Sequence, residues 1–246
     1  MIEVHDIAKI FLDRRRGAIP AVDGISFECK PGEIFGLLGA NGAGKTTTLR
    51  ILSTLLKPTH GKAMVSGYDV CSSPQQVRQH IGFISNSTGI YEKLTPVEMV
   101  EYFGRLYGMS SKKIAERTEE IFSLLKMHDF AHTLNSKLSS GMRQKVSIAR
   151  TIVHDPPVLI FDEPTVSLDI FVAKTVVDFI ALCREQKKCI LLSTHIMSEA
   201  EKLCDKIAIL HKGKILVMGT LEELREKTGK NSLESIFFSI VGEENL

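Results

Sequence analysis

The chain has 246 residues, enough for one large core or two small ones, with 24% charged residues and a formal net charge of only +2. That balance excludes a strongly basic nucleic-acid binder and an acidic tail, and implies no nucleic-acid partner. Apolar runs such as Val158–Phe161 are far too short to span a bilayer, and the N-terminal MIEVHDIAKIF, with Glu3 and Asp6 among its apolar residues, does not read as a secretory signal.

In chain order, Ile2-Glu3-Val4 and Gly24–Glu28 alternate as strands do, and a basic turn containing Arg14, Arg15 and Arg16 separates them. This predicts an antiparallel beginning, with the three arginines solvated. After Pro31-Gly32 the pattern changes. Ile34–Leu38 is a continuous apolar run, as in a strand buried on both faces; Val158–Phe161, Cys189–Leu192 and Ile207–Leu210 repeat it, with helix-length segments between. Buried strands alternating with helices predict a mostly parallel α/β sheet flanked by helices. The middle, Tyr91–Leu138, has no such run. Pro96, Val97, Val100 and Leu106, then Ile114–Leu125, show helical spacing and predict an inserted α-helical subdomain. The five cysteines are scattered, with no C-x-x-C pair, and read as reduced thiols rather than a disulfide frame or a zinc site.

Gly39-Ala40-Asn41-Gly42-Ala43-Gly44-Lys45-Thr46 fits G-x-x-x-x-G-K-[ST], after a buried strand and before a helical pattern. Glycines let a loop approach an anion closely, and the amides of Asn41, Gly42 and Gly44 and the helix start behind them can converge on phosphate. In this arrangement Lys45 neutralises the terminal phosphates of ATP, the Thr46 hydroxyl serves Mg²⁺, and Thr47 adds a phosphate contact. Downstream, the run Val158–Phe161 ends in Asp162 and Glu163. An aspartate at the C-terminal end of a parallel strand lies where α/β sheets bind ligands. Asp162 is placed to hold Mg²⁺ and Glu163 to polarise an attacking water, a sufficient set for phosphoryl transfer to water.

Between these sites, Leu138-Ser139-Ser140-Gly141-Met142 precedes a helical segment. Alone it is a serine N-cap. In this company it resembles the LSGGQ signature of the ABC-type ATPases, and the resemblance then extends over nearly the whole chain. It implies a P-loop NTPase core over residues 1–86 and 155–246, including an antiparallel β subdomain, with a helical subdomain over approximately 87–154. It implies that Phe11 stacks on adenine, an ordinary core phenylalanine being the alternative. Ser167-Leu168-Asp169 resembles the loop that links two halves of a dimer, and His195 the switch histidine at the γ-phosphate. Asn86 stands where the family usually has a glutamine, one methylene longer, that reaches the metal.

The family resemblance further implies a head-to-tail dimer, of two copies or with a related subunit. In it Ser139 and Gly141 of one subunit close on the ATP held by Lys45 of the other. It implies an integral membrane permease as partner, and work at the cytoplasmic face of the membrane. Segments such as Thr88–Thr95 and Leu216–Thr220 look like those of bacterial sodium-efflux exporter ATPases. A soluble ABC ATPase for assembly work, such as iron–sulfur cluster biogenesis, shares every nucleotide residue and is the alternative.

Overall fold

A computed structural model describes residues 1–13, 17–85 and 89–243, the side chain of Glu243 aside. The turn at Arg14–Arg16 and the position of Asn86 lie outside the described residues.

The beginning is an antiparallel hairpin longer than its alternation suggests: β1 (Ile2–Asp13) pairs with β2 (Gly17–Cys29). Register shifts after Val4, Ile7 and Lys9 break the period-2 pattern, which is why only its ends read as strand. On its other edge β1 pairs with β4 (His60–Val65), which pairs with the short β5 (Tyr68–Asp69). This four-stranded sheet, in the order β2-β1-β4-β5, covers one face of the larger sheet.

The larger sheet has the order β10-β9-β3-β8-β7-β6. Its strands are β3 (Ile34–Leu38), β6 (Ile81–Ser85), β7 (Val158–Asp162), β8 (Cys189–Thr194), β9 (Lys206–His211) and β10 (Lys214–Gly219). All neighbours are parallel except β10, which closes one edge antiparallel to β9. The continuous apolar runs resolve into two cores by strand alternation. Phe35 and Leu37, Val158 and Ile160, Cys189 and Leu191 face the antiparallel sheet and α1 (Lys45–Leu52). Ile34, Leu159, Phe161, Ile190 and Leu192 face the helices.

Those helices are α3 (Pro96–Leu106), α4 (Ser111–Leu125), α5 (Ser140–Ile152) and α6 (Ile170–Glu185); α2 (Pro74–His80) leads into β6. Each start in the middle of the chain is chemically marked. Thr95 and Glu98 form a capping box, and the Ser110 and Ser139 hydroxyls accept from Lys113 and Met142 amides, each cap contributing about 1 kcal/mol. Gly104 lets α3 and α4 approach closely: a Cβ there would sit 2.7 Å from Ile114. The final stretch forms α7 (Met197–Leu203), α8 (Leu221–Thr228) and α9 (Leu233–Glu243), packed on Leu38, Ile207 and Ile209 as a third core. No helix among the described residues is long and apolar enough to cross a membrane.

All five cysteines are free thiols, but two are not scattered in space. Cys29 at the end of β2 and Cys189 at the start of β8 place their buried sulfurs 3.2 Å apart between the two sheets. The hydrogen bond that the two sulfurs share, then burial, pushes the Cys29 thiol well up from its ordinary range.

Candidate active site

The site is built where parallel strands end. Residues 39–44 leave β3, and Gly44, at φ 110° in the left-handed region, caps α1 without a side-chain bond. A Cβ at Gly44 would stand 2.5 Å from the Ala21 carbonyl oxygen, and one at Gly39 would stand 2.4 Å from the Leu210 carbonyl oxygen. Gly44 is therefore demanded twice, by its backbone conformation and by the β2 carbonyl pressed behind the loop, and Gly39 by the close approach of β9 alone. The Gly213 amide donates to the Ala43 carbonyl at 2.9 Å and the Asp23 amide to Gly213 at 2.8 Å, so β2 and the β9–β10 turn buttress the loop.

Lys45, only 4% exposed, threads back through this loop. Its Nζ donates to the Gly39 carbonyl at 2.6 Å and the Ala40 carbonyl at 3.2 Å, and lies 3.2 Å from Glu163 Oε1. An ammonium this deep requires such partners. Thr46, the next residue of α1, donates from Oγ1 to Asp162 Oδ1 at 3.1 Å. Thr47 beside it is half-buried, while Asn41 and Gly42 are exposed at the loop's crest.

Asp162 ends β7 and Glu163 turns away from it with φ 50°. The Glu163 amide donates to the Ser193 carbonyl at 3.1 Å and to Ser193 Oγ at 3.2 Å; that hydroxyl donates to Asp162 Oδ1 at 2.6 Å. His195, just past β8, sets Nδ1 3.2 Å from Glu163 Oε1. Thus Lys45, Thr46, Asp162, Glu163 and His195, predicted from three separated stretches, meet in one cluster. Ser193 was missed, although a polar residue ending the otherwise apolar Cys189–Leu192 run was its signal.

A second group gathers elsewhere. Ser139 caps α5, and the Met142 amide is taken by its hydroxyl at 3.2 Å. Gly141 lies in the first turn against α6: a Cβ would be 2.7 Å from Val172. Asp169 caps α6, accepting from the Phe171 and Val172 amides at 3.0 Å. Gln144 of α5 donates to the Pro164 carbonyl at 3.1 Å, tying this group to the segment after Glu163. A cleft of ≈ 550 Å³ lies between them, lined by Ile90, Leu138, Ser140, Gln144, Ser167 and Leu168 among others. Phe11 is on β1, 40% exposed, with the Lys9 ammonium 5.3 Å from its ring centre. It is a presented aromatic, not a core residue.

A smaller apolar cleft of ≈ 280 Å³ separates the sheet edge from the inserted helices, lined by Leu55, Phe83, Phe103, Tyr107 and Arg150 among others. Tyr107 stacks on His154, ring centres 3.6 Å apart at 7°. Burial pushes the Tyr107 phenol up and pulls the His154 imidazole down to about 4. Beside this cleft Tyr91, Tyr102 and Phe103 form an aromatic cluster, with Tyr91 and Tyr102 largely exposed.

Thr46 and Asp162 present hard oxygen donors side by side at the phosphate loop. A donor set this small suits Mg²⁺, which binds through one or two protein oxygens plus substrate phosphates.

The ABC transporter family profile matches residues 22–166. The ABC transporter ATP-binding protein NatA of Bacillus subtilis (strain 168) is 40% identical over 240 residues, 97% of each chain. The daunorubicin/doxorubicin resistance ATP-binding protein DrrA of Streptomyces peucetius is 37% identical over 94% of this chain and 69% of its own. A solved ATP-binding subunit of an ABC transporter superposes with a TM-score of 0.89 at 28% identity, covering 98% of this chain and 99% of that one. A dimeric ATP-binding cassette in a post-hydrolysis state, bound to ADP and Pi, superposes at 0.80 with 25% identity over 90% of this chain and 99% of its own. With a phosphate loop on a parallel sheet and two acids at the end of the strand two places along, the chain belongs to the ABC transporter family and is one of its ATP-binding ATPase subunits.

Proposed function

We propose that the chain powers export through a separate membrane permease by closing and reopening a head-to-tail dimer on ATP at the cytoplasmic face of the membrane. The observation that carries the catalytic half is the convergence of Lys45 and His195 on one Glu163 oxygen beside Asp162. Gly44, Lys45 and the first amides of α1 hold the phosphates. Thr46 and Asp162 would hold Mg²⁺, which when bound neutralises charge on the phosphates. Glu163 orients the water that attacks the γ-phosphorus, and His195, with Nδ1 3.2 Å from its carboxylate, steadies that group and reaches the γ-phosphate. When ATP enters, Lys45 exchanges its contacts with the loop carbonyls for phosphate, so the cradle is already spaced for an anion. Phe11 supplies a face for adenine.

The far side of the triphosphate is closed by the α5 start of a second subunit, where Ser139 and Gly141 donate to the γ-phosphate and Asp169 lies at the junction. The dimeric cassette among the similar structures supports this. Closing on ATP and opening after hydrolysis is then a two-state element biased by ligand. The drug-resistance relative supports export, and the resemblance of Thr88–Thr95 and Leu216–Thr220 to sodium-efflux ATPases makes Na⁺ one cargo to test. The exposed tyrosines and the apolar cleft beside them support permease docking at the inserted helices.

The Glu163→Gln variant tests this. It is expected to bind ATP, hydrolyse it slower by about two orders of magnitude or more, and accumulate as a dimer on size exclusion with ATP. Lys45→Ala is expected to lose nucleotide affinity in the same assay. Full turnover by the Glu163→Gln chain would remove Glu163 from its role.

A further inference from the structure

We infer that Ser193 is a positioning residue for hydrolysis: its single hydroxyl holds Asp162 and Glu163 in fixed relation to each other. The inference rests on the ATPase reading above and extends it to a residue buried beneath the two acids.

Ser193 lies one residue from the end of β8, after four apolar residues, and is wholly buried. A hydroxyl sealed between packed layers must find partners, and its placement in a strand that otherwise reads apolar asks what it partners. The sheet register puts Ser193 directly opposite Asp162. From there Oγ donates to Asp162 Oδ1 at 2.6 Å and accepts from the Glu163 amide at 3.2 Å. One oxygen therefore contacts both acids, one through its side chain and one through its backbone.

The second contact matters because Glu163 is left-handed at φ 50°, a conformation that disfavours a non-glycine residue and needs support from its surroundings. That turn carries the Glu163 carboxylate off the strand line to Lys45 and His195, each at 3.2 Å. The Ser193 hydroxyl and carbonyl share the amide that fixes the turn. The first contact orients the carboxylate that also accepts from Thr46. The segment beyond is anchored separately: Thr165 Oγ1 donates to Glu199 at 2.8 Å, and Thr194 Oγ1 reaches the same oxygen at 3.5 Å. Loss of the Ser193 hydroxyl should therefore disturb the acids without releasing the loop.

The test compares Ser193→Ala and Ser193→Cys with the unaltered full-length chain. Alanine is smaller than serine and cysteine slightly larger, but both lack a strong hydroxyl donor. Expected for both is a fall in kcat of about tenfold or more with KM within about twofold. Expected too is a smaller Mg²⁺-dependent gain in affinity for a non-hydrolysable ATP analogue, with affinity in EDTA unchanged. Should the alanine chain not fold, the cysteine chain carries the same comparison. Wild-type kcat in either folded variant, or equal loss of affinity with and without Mg²⁺, overturns the inference. If the unaltered chain itself hydrolyses no ATP, the proposed function fails instead, so the two failures are distinct.

Discussion

His154 offers a test whose size follows from its surroundings. The ring stacks on Tyr107, its Nε2 lies 3.2 Å from the Ile81 carbonyl, and its buried Nδ1 has no hydrogen-bond partner among the described residues. Nε2 therefore carries the proton of the neutral ring. A second proton would create a buried donor at Nδ1 with nothing to receive it. Burial accordingly pulls the imidazole from 6.5 down to about 4, against the opposing hydrogen bond to Ile81 and the nearby Asp155. The folded state thus binds this proton less readily than the unfolded chain. The stabilisation is complete above pH 6.5 and is lost as the pH falls through 6.5 toward 4. Between pH 7.5 and 5 the loss comes to ~2 kcal/mol at 1.36 kcal/mol per pH unit, which lowers Tm by about 4–8 °C for a domain of this size. Other groups titrate in the same window, so the measurement is a difference. Urea or thermal unfolding of wild type and His154→Phe is followed from pH 7.5 to 5, each referred to its own value at pH 7.5. The phenyl ring keeps the stack and cannot titrate, and its missing bond to Ile81 cancels in the reference. The wild type should lose ~2 kcal/mol more than the variant. Parallel curves would refute the reasoning.

Gly42 and Gly44 separate backbone strain from crowding. Both have positive φ, but a Cβ at Gly42 meets nothing within 4 Å whereas one at Gly44 meets the Ala21 carbonyl at 2.5 Å. Gly42→Ala should cost about 1 kcal/mol in unfolding and Gly44→Ala clearly more, with nucleotide affinity following in isothermal titration; equal costs would contradict the account. A brief pulse of a small neutral thiol reagent at pH 8 should modify the exposed Cys71 well before the other four cysteines, as read by peptide mass spectrometry. Burial holds Cys183 and Cys204 up at about 12, so almost no thiolate is present there. A second cysteine labelled as fast would sink this.

What could be read from sequence follows from what is local. The phosphate loop was legible because glycines, lysine and threonine occupy a fixed spacing between an apolar run and a helical one. Asp162, Glu163 and His195 were legible because each follows a buried strand. Strands β3, β7, β8 and β9 declared themselves by apolar runs, yet the runs did not say which residues face the helices and which the second sheet. That sorting emerges only from pairing. Strands β4, β5 and β10 and helix α2 were not read: β4 mixes His60, Gly61 and Lys62 with apolar residues, and β10 is an edge strand with Lys214 and Met218 exposed. Ser193 and the Cys29–Cys189 contact were hidden for one reason. Each depends on strands brought together across the sheets, and no periodicity along one strand reports its neighbour. The Asn86 position lies outside the described residues.

The sheet order also bears on how the chain emerges from a ribosome. Strand β3 is complete at Leu38, but its two neighbours are β8 and β9, which set Leu192 and Ile207 opposite Gly36. The props behind the phosphate loop, Leu210 and Gly213, come later still. A nascent chain therefore carries its nucleotide-binding loop for most of translation with no floor beneath it. Cellular ATP can reward only the finished molecule, so stalled or truncated chains forgo that stabilisation and stay open to proteases.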